Sequence, residues 1–398
     1  MQAQNLPFNP AALDAFVALV GEPVWRVRIA DIVGRAASGP RLGQEVRQRH
    51  GLELAIERLR RTPARPPTEA ELRAAQLANY TVALYRRLGV RGKARLRQRI
   101  ALALTGDETL LPLFHLLRNA ELQQGRGFEV SFAGLDSGAP FDLLISRGSV
   151  QAEVVCDVIS AEEGRLVHRR AWSHLTDLVA ADLRDWLPGN PGRYLLKLTV
   201  AQGLRLGEAG ALEDMRLRIS RLLHNKGRRD DNGAAVLRLD PLILAHPVDE
   251  PSLLNLLRAD FGPEAHLAVT TNGASIFAMA ARAGRVDEVA VAVRERLAAI
   301  APDRLTGQRP GILAMFVEDT DRREWRGLRD RLELEGEARQ FLAGTAARPV
   351  IAVTCASRCE MFGMPVPHAA EDGELRFRNP AHPAAKAAAL APAVLSSV

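Results

Sequence analysis

Residues 118–160 read RNAELQQGRGFEVSFAGLDSGAPFDLLISRGSVQAEVVCDVIS, and the elements they encode decide the fold. An amphipathic helix entering from about residue 108 ends at Gly125. Three short segments of strand-type composition follow, Phe128 to Phe132, Phe141 to Ser146 and Val150 to Ile159. Turn residues join them, GLDSGAP between the first two and Arg147-Gly148-Ser149 before the third, so a three-stranded meander is expected. In the third segment, alternation puts Ala152, Val154, Cys156 and Val158 on one face and Gln151, Glu153, Val155 and Asp157 on the other.

Working outward, a long helix is predicted from about Leu166 to Leu187, closed by Pro188-Gly189-Asn190-Pro191-Gly192, and then a buried strand from Tyr194 to Val200. Residues 106–204 therefore read as an αβββαβ core with a mixed sheet. Before it, residues 1–105 place apolar side chains at helical spacing, as in Leu72, Leu77, Leu84 and Leu88, and form an arginine-rich helical domain. Thr68 with Glu71 supplies a capping box there, after the Pro63 to Pro67 break. Residues 205–380 read as a further α/β region, with helices near 210–223, 286–300 and 320–342 and strands near 235–239, 266–270, 275–280, 311–317 and 348–355. The tail, 381–398, is rich in alanine and proline and is expected to be loosely ordered. The fold class is α/β.

With 47% hydrophobic and 25% charged residues in 398, the chain can bury more than one core. Its net charge of +6 favours an acidic partner, but the only lysines are Lys93, Lys197, Lys226 and Lys386, and arginine enrichment also follows from genome composition. Cys156, Cys355 and Cys359 are too sparse for a secreted disulfide framework, so a reducing, cytoplasmic setting is expected, with the last two as buried small hydrophobes. The opening stretch is not expected to be a signal peptide, and no run of about 18 apolar residues predicts a membrane span. A nucleophile elbow, a HExxH helix and a phosphate loop are absent, which removes several enzyme classes.

Carboxylates converging from neighbouring strands are what metal-dependent phosphodiester cleavage requires. Asp142 opens the second strand and Glu153 lies in the third, next to it in a meander, while Glu121 near the end of the preceding helix points toward the same edge. This arrangement resembles the PD-(D/E)xK, or restriction-endonuclease-like, nuclease superfamily over about a quarter of the chain. The resemblance implies Glu121, Asp142 and Glu153 as ligands of Mg²⁺ or Mn²⁺, and Asp142 and Glu153 as catalytic residues of a phosphodiester hydrolase. The lysine of that pattern falls on Val155; shifting the frame puts Asp157 there and loses the acid. Valine cannot stabilise developing phosphorane charge. His168 and Arg170, at the start of the next helix, are the candidates for a migrated basic role, histidine as general base and arginine as phosphate clamp.

Two arginine-rich faces accompany this core: Arg47, Arg49, Arg58, Arg60 and Arg61, then Arg86, Arg87, Arg91, Lys93, Arg95, Arg97 and Arg99. Arg86, Arg87, Arg91, Lys93 and Arg95 are the candidate nucleic-acid contacts. The expected partner is nucleic acid, DNA in the first instance, with no membrane and a homodimer allowed. Two other readings stand beside cleavage: an inactive nuclease-fold protein that binds DNA, RNA or protein, and a scaffold whose arginines serve solubility. Glu318-Asp319 closes the apolar run GILAMFV, with Asp319 or Thr320 as N-cap of the next helix, and HNKGRRDDNG (224–233) reads as a surface loop.

Overall fold

The computed structural model describes residues 10–61, 65–207, 210–244, 249–262 and 265–397. Seven helices open the chain: α1 (Pro10–Val20), α2 (Glu22–Ala36), α3 (Pro40–Arg49), α4 (Gly51–Arg60), α5 (Glu69–Arg87), α6 (Val90–Ala103) and α7 (Leu111–Gly125). β1 (Glu129–Ser131), the single turn α8 (Ala133–Asp136), β2 (Leu143–Arg147) and β3 (Val150–Ser160) follow. Next come α9 (Arg169–Gly189), β4 (Arg193–Val200), α10 (Ala211–His224), β5 (Arg229–Asp231) and β6 (Ala235–Pro241). Then α11 (Glu250–Phe261), β7 (His266–Asn272), β8 (Ser275–Ala283), α12 (Val289–Arg304) and β9 (Gly311–Glu318). The chain closes with α13 (Arg322–Asp330), α14 (Glu333–Leu342), β10 (Val350–Ala356), α15 (Arg358–Met361), β11 (Leu375–Arg378) and α16 (Ala391–Val394).

These elements divide into two compact units, one of residues 1–32, 49–163 and 290–398, the other of 33–48 and 164–289. The first holds a six-stranded sheet in the order β1-β2-β3-β9-β10-β11. β1, β2 and β3 are the expected antiparallel meander, with Val130 opposite Ile145 and Leu144 opposite Glu153. β3 then pairs in parallel with β9, Val155 beside Leu313, and β9 with β10. β9 and β10 are buried along their whole length, and for that reason GILAMFVE and VIAVTCA are apolar without alternation. Leu113, Phe114, Leu117 and Ala120 of α7 share one core with Ala152 and Val154 of β3, Ile312 and Phe316 of β9, and residues of α1, α4, α5 and α6.

This topology differs from the expected one in a specific way. The helix and strand that complete αβββαβ in the sheet are α12 and β9, whereas α9 and β4 belong to the second unit, inserted in the chain after β3. An apolar strand such as Tyr194 to Val200 shows that it is buried but not which neighbours bury it. The opening helices are likewise no separate domain, since their apolar faces close over the first sheet and α3 falls in the second unit. The tail, expected to be loose, is docked: Leu390, Ala393 and Val394 are buried, and the Ser397 and Ser396 hydroxyls accept from the Arg376 and Arg378 N–H groups (2.9 and 3.2 Å) beside edge strand β11.

The second unit's sheet runs β5-β6-β4-β8-β7, with only β4 and β8 parallel. Period two is plain in it. Leu196, Leu198 and Val200 join α9 and α10 in one core, and Leu195 joins Leu253 and Leu257 of α11 in another. Asp177 of α9 accepts from the Arg41 and Leu42 N–H groups at the start of α3 (3.0 and 2.9 Å); a Cβ on Gly39 would lie 2.3 Å from its carboxylate, so the Gly39-Pro40 break is needed at that approach. Residues 229–231, within the expected surface loop, form the short β5, and α11 and β11 escaped the sequence reading. The Thr68–Glu71 capping box is present, and Cys355 and Cys359 are buried.

His115 sits inside α7, its Nε2 donating to the Ala314 carbonyl (2.9 Å) and its ring 5.3 Å from that of Phe316. Burial pushes its pKa down to about 4, so the unfolded chain takes up the proton first on acidification. The stability that depends on the neutral ring is full above the unfolded pKa and is lost as pH falls toward the folded one. Between pH 6.5 and 4 this loss should reach about 3 kcal/mol, and His115→Gln should remove that part of the slope in urea titrations at several pH values. An identical slope in the variant would contradict the assignment.

Candidate functional site

Asp142 lies one residue before β2 and extends its ladder. Its N–H donates to the Val154 carbonyl (3.0 Å), and its Oδ2 accepts from the Cys156 N–H (2.9 Å), taking the place of the next backbone carbonyl. Two guanidinium groups close on the same carboxylate: Arg99 of α6 donates to Oδ1 (2.8 Å) and Arg304, the last residue of α12, to Oδ2 (2.9 Å). The residue is 2% exposed. Three donors and two positive charges therefore surround one negative charge.

Glu153 is wholly buried. Its Oε2 accepts from the Thr306 N–H (2.9 Å), its Oε1 from the Thr306 hydroxyl (2.5 Å), and Arg309 Nη1 stands 3.5 Å from Oε1. One segment, residues 304–309 between α12 and β9, thus reaches both acids. Val155, on the pattern's lysine position, is fully buried, and Asp157 forms a two-pronged pair with Arg296 of α12 (2.5 and 3.1 Å). Asp142 also contributes to raising the Cys156 thiol's pKa, after the larger effect of burial.

Glu121 pairs with Arg73 of α5 (2.6 Å). His168 is the N-cap residue of α9 and Arg170 lies in its first turn, both in the second unit. Among the described residues no group of three or more His, Cys, Asp or Glu side chains is placed to hold a metal ion. The donor set does not fit a divalent cation: the oxygens of Asp142 and Glu153 already face guanidinium, amide and hydroxyl donors, and a cation there would meet Arg99 and Arg304 as like charges.

The arginine faces separate into two kinds. In the first, Arg58 pairs with Glu71, Arg60 with Asp14 and Glu22 (both 3.0 Å), Arg61 with Glu57 (2.6 Å) and Arg49 with Asp319 (2.9 Å), while Arg47 donates to the Ala36 carbonyl. In the second, Arg95 donates to the Leu135 and Asp136 carbonyls of α8 (2.7 and 3.0 Å). Arg86 and Arg87 at the end of α5 and Arg91 at the start of α6 are exposed and make no ion pair with a described carboxylate. Lys93 and Arg97 lie over the Tyr85 ring, 5.4 and 5.0 Å from its centre. The N-cap expected at Asp319 or Thr320 is Asp321, with Glu324 completing its capping box; Asp319, at φ 59°, accepts from Ser160 (2.6 Å) instead.

Arg304, Thr306 and Arg309 had one local signal in the sequence, the polar turn DRLTGQRPG (303–311) ahead of an apolar strand. Comparison with family models, with curated proteins and with solved structures finds no match.

Removing Asp142 would leave the Cys156 N–H without its acceptor and two guanidinium groups without their anion. Their side chains are 37% and 32% exposed, so solvent screens part of the loss. Asp142→Ala should therefore destabilise by on the order of 2 kcal/mol, less than the 3–5 kcal/mol of a wholly buried pair. The check is the urea midpoint at constant m; a variant as stable as the parent would show that the pair is not needed.

Proposed function

We propose that this protein binds nucleic acid through the α5–α6 corner and that its restriction-endonuclease-like core does not cut. The order α7-β1-β2-β3-α12-β9, an antiparallel meander followed by a helix and a parallel strand, supports the fold resemblance. The observation that carries the non-cutting reading is the neutralisation of Asp142 and Glu153 by Arg99, Arg304, Thr306 and Arg309, together with a buried valine in place of the lysine. Phosphate oxygens are the natural partners of Arg86, Arg87, Arg91, Lys93 and Arg97, which no described carboxylate neutralises. Such contacts position a backbone and read no sequence.

One observation favours the cutting alternative: a single segment, residues 304–309, supplies donors to both Asp142 and Glu153, so displacing it would strip both carboxylates of partners at once. A single experiment separates the two readings. Fluorescence anisotropy on duplex DNA should show log K falling linearly with log salt, and changing Arg86, Arg87 and Arg91 to Ala should reduce the slope by about 3. The same duplex incubated with Mg²⁺ or Mn²⁺ should stay intact. A slope near zero would remove the nucleic-acid reading, and metal-dependent cleavage lost in Asp142→Ala would establish the alternative.

A further inference from the structure

Helix α6 has no acidic residue in its sequence VRGKARLRQRIALA, and the helical period sorts its side chains into four strips. Gly92, Leu96, Ile100 and Ala103 are buried and face the core. On one shoulder Arg95 and Arg99, four residues apart, reach the α8 carbonyls and Asp142. On the other shoulder Lys93 and Arg97, also four apart, lie over the Tyr85 ring. Opposite the buried side runs a crest of Arg91, Ala94, Gln98, Ala101 and Leu102, all of them exposed. Arg91 and Gln98 make no side-chain hydrogen bond with a described residue.

Arg99 is spent on Asp142, but Arg95, Lys93 and Arg97 are held by carbonyls and a ring rather than by carboxylates, so their charge is not neutralised. A helix with its side chains is about 10–12 Å across and the major groove of duplex DNA about 12 Å wide, so a helix lying in it meets phosphates on both sides and base edges in front. α6 has the matching distribution, with cations on both shoulders and short or amide side chains between them. Ala94 and Ala101 let the helix approach closely, while they offer a protein partner little apolar area. Gln98, between them, carries the amide that pairs with adenine through two hydrogen bonds. Arg86 and Arg87, exposed at the end of α5, precede α6 by only the two residues Leu88 and Gly89 and suit the phosphates beside the groove.

We infer that α6 enters the major groove of duplex DNA and reads sequence there, Gln98 meeting a base edge between phosphates held by Arg91 and Arg95 on one side and Lys93 and Arg97 on the other. This rests on the nucleic-acid reading above and adds to it a docking element and a sequence preference, which phosphate contacts alone do not give.

Selection of duplexes from a randomised pool by the full chain, followed by fluorescence anisotropy, tests it. The selected duplexes should share a short motif containing adenine and bind on the order of a hundredfold more tightly than a scrambled duplex at the same salt. Gln98→Ala, which removes an exposed side chain and no core contact, should lower that ratio about tenfold, the discrimination that one two-pronged base contact supplies. The same motif as duplex RNA should gain nothing over scrambled RNA, because the A-form major groove is too narrow for a helix. Salt-dependent binding of all DNA duplexes alike, or a preference that Gln98→Ala leaves unchanged, would overturn the inference and leave the phosphate contacts standing. An equal preference for the motif in RNA would also overturn it, and binding to no duplex at any salt would remove the nucleic-acid reading together with it.

Discussion

A carboxylate buried between apolar strands must be met by donors or cations, because desolvating it alone costs a large fraction of a domain's stability. Asp142 and Glu153 are two such groups, and the segment 304–309 meets both of them. That segment is also the link from α12 to β9, so compensating the acids and adding the fourth strand in parallel to β3 are one structural event. Asp142 goes further and completes the β2–β3 ladder with its side chain. The first sheet's register and its polar interior thus depend on the same few contacts.

Those contacts explain why the two buried acids are structural in this fold. The geometry that would let two acids share a cation also lets arginines from α6 and α12 share an acid, and guanidinium is the better partner where it arrives with its charge and hydrogen bonds already oriented. Val155, in the same strand as Glu153, is buried and adds no charge. Arginines that form no ion pair with a described carboxylate lie at the exposed α5–α6 corner and, buried, at Arg118.

How much of this was legible in the sequence follows from which signals are local. The meander, α7, the Thr68–Glu71 cap and the apolar β9 and β10 depend on nearby residues, and the structure has them where the pattern puts them. Which sheet β4 joins depends on pairing with β6 and β8, as far as residue 283, and no periodicity reports that. The acids at 142 and 153 were visible, but their partners at 99, 304, 306 and 309 were not, since a surface arginine and a buried counter-ion look alike in a chain with so many arginines. The burial of Arg118 does have a local signal, a lone arginine inside the run LFHLLRNA (113–120).

The central claim is that Asp142 and Glu153 are neutralised from within the protein and leave no place for a divalent ion. Electron paramagnetic resonance of Mn²⁺ titrated into the protein reads this directly, because free aqueous ion gives the sharp signal and bound ion does not. The account predicts the same free signal for the parent chain and for Asp142→Asn. Loss of signal with the parent chain, restored in Asp142→Asn, would contradict it.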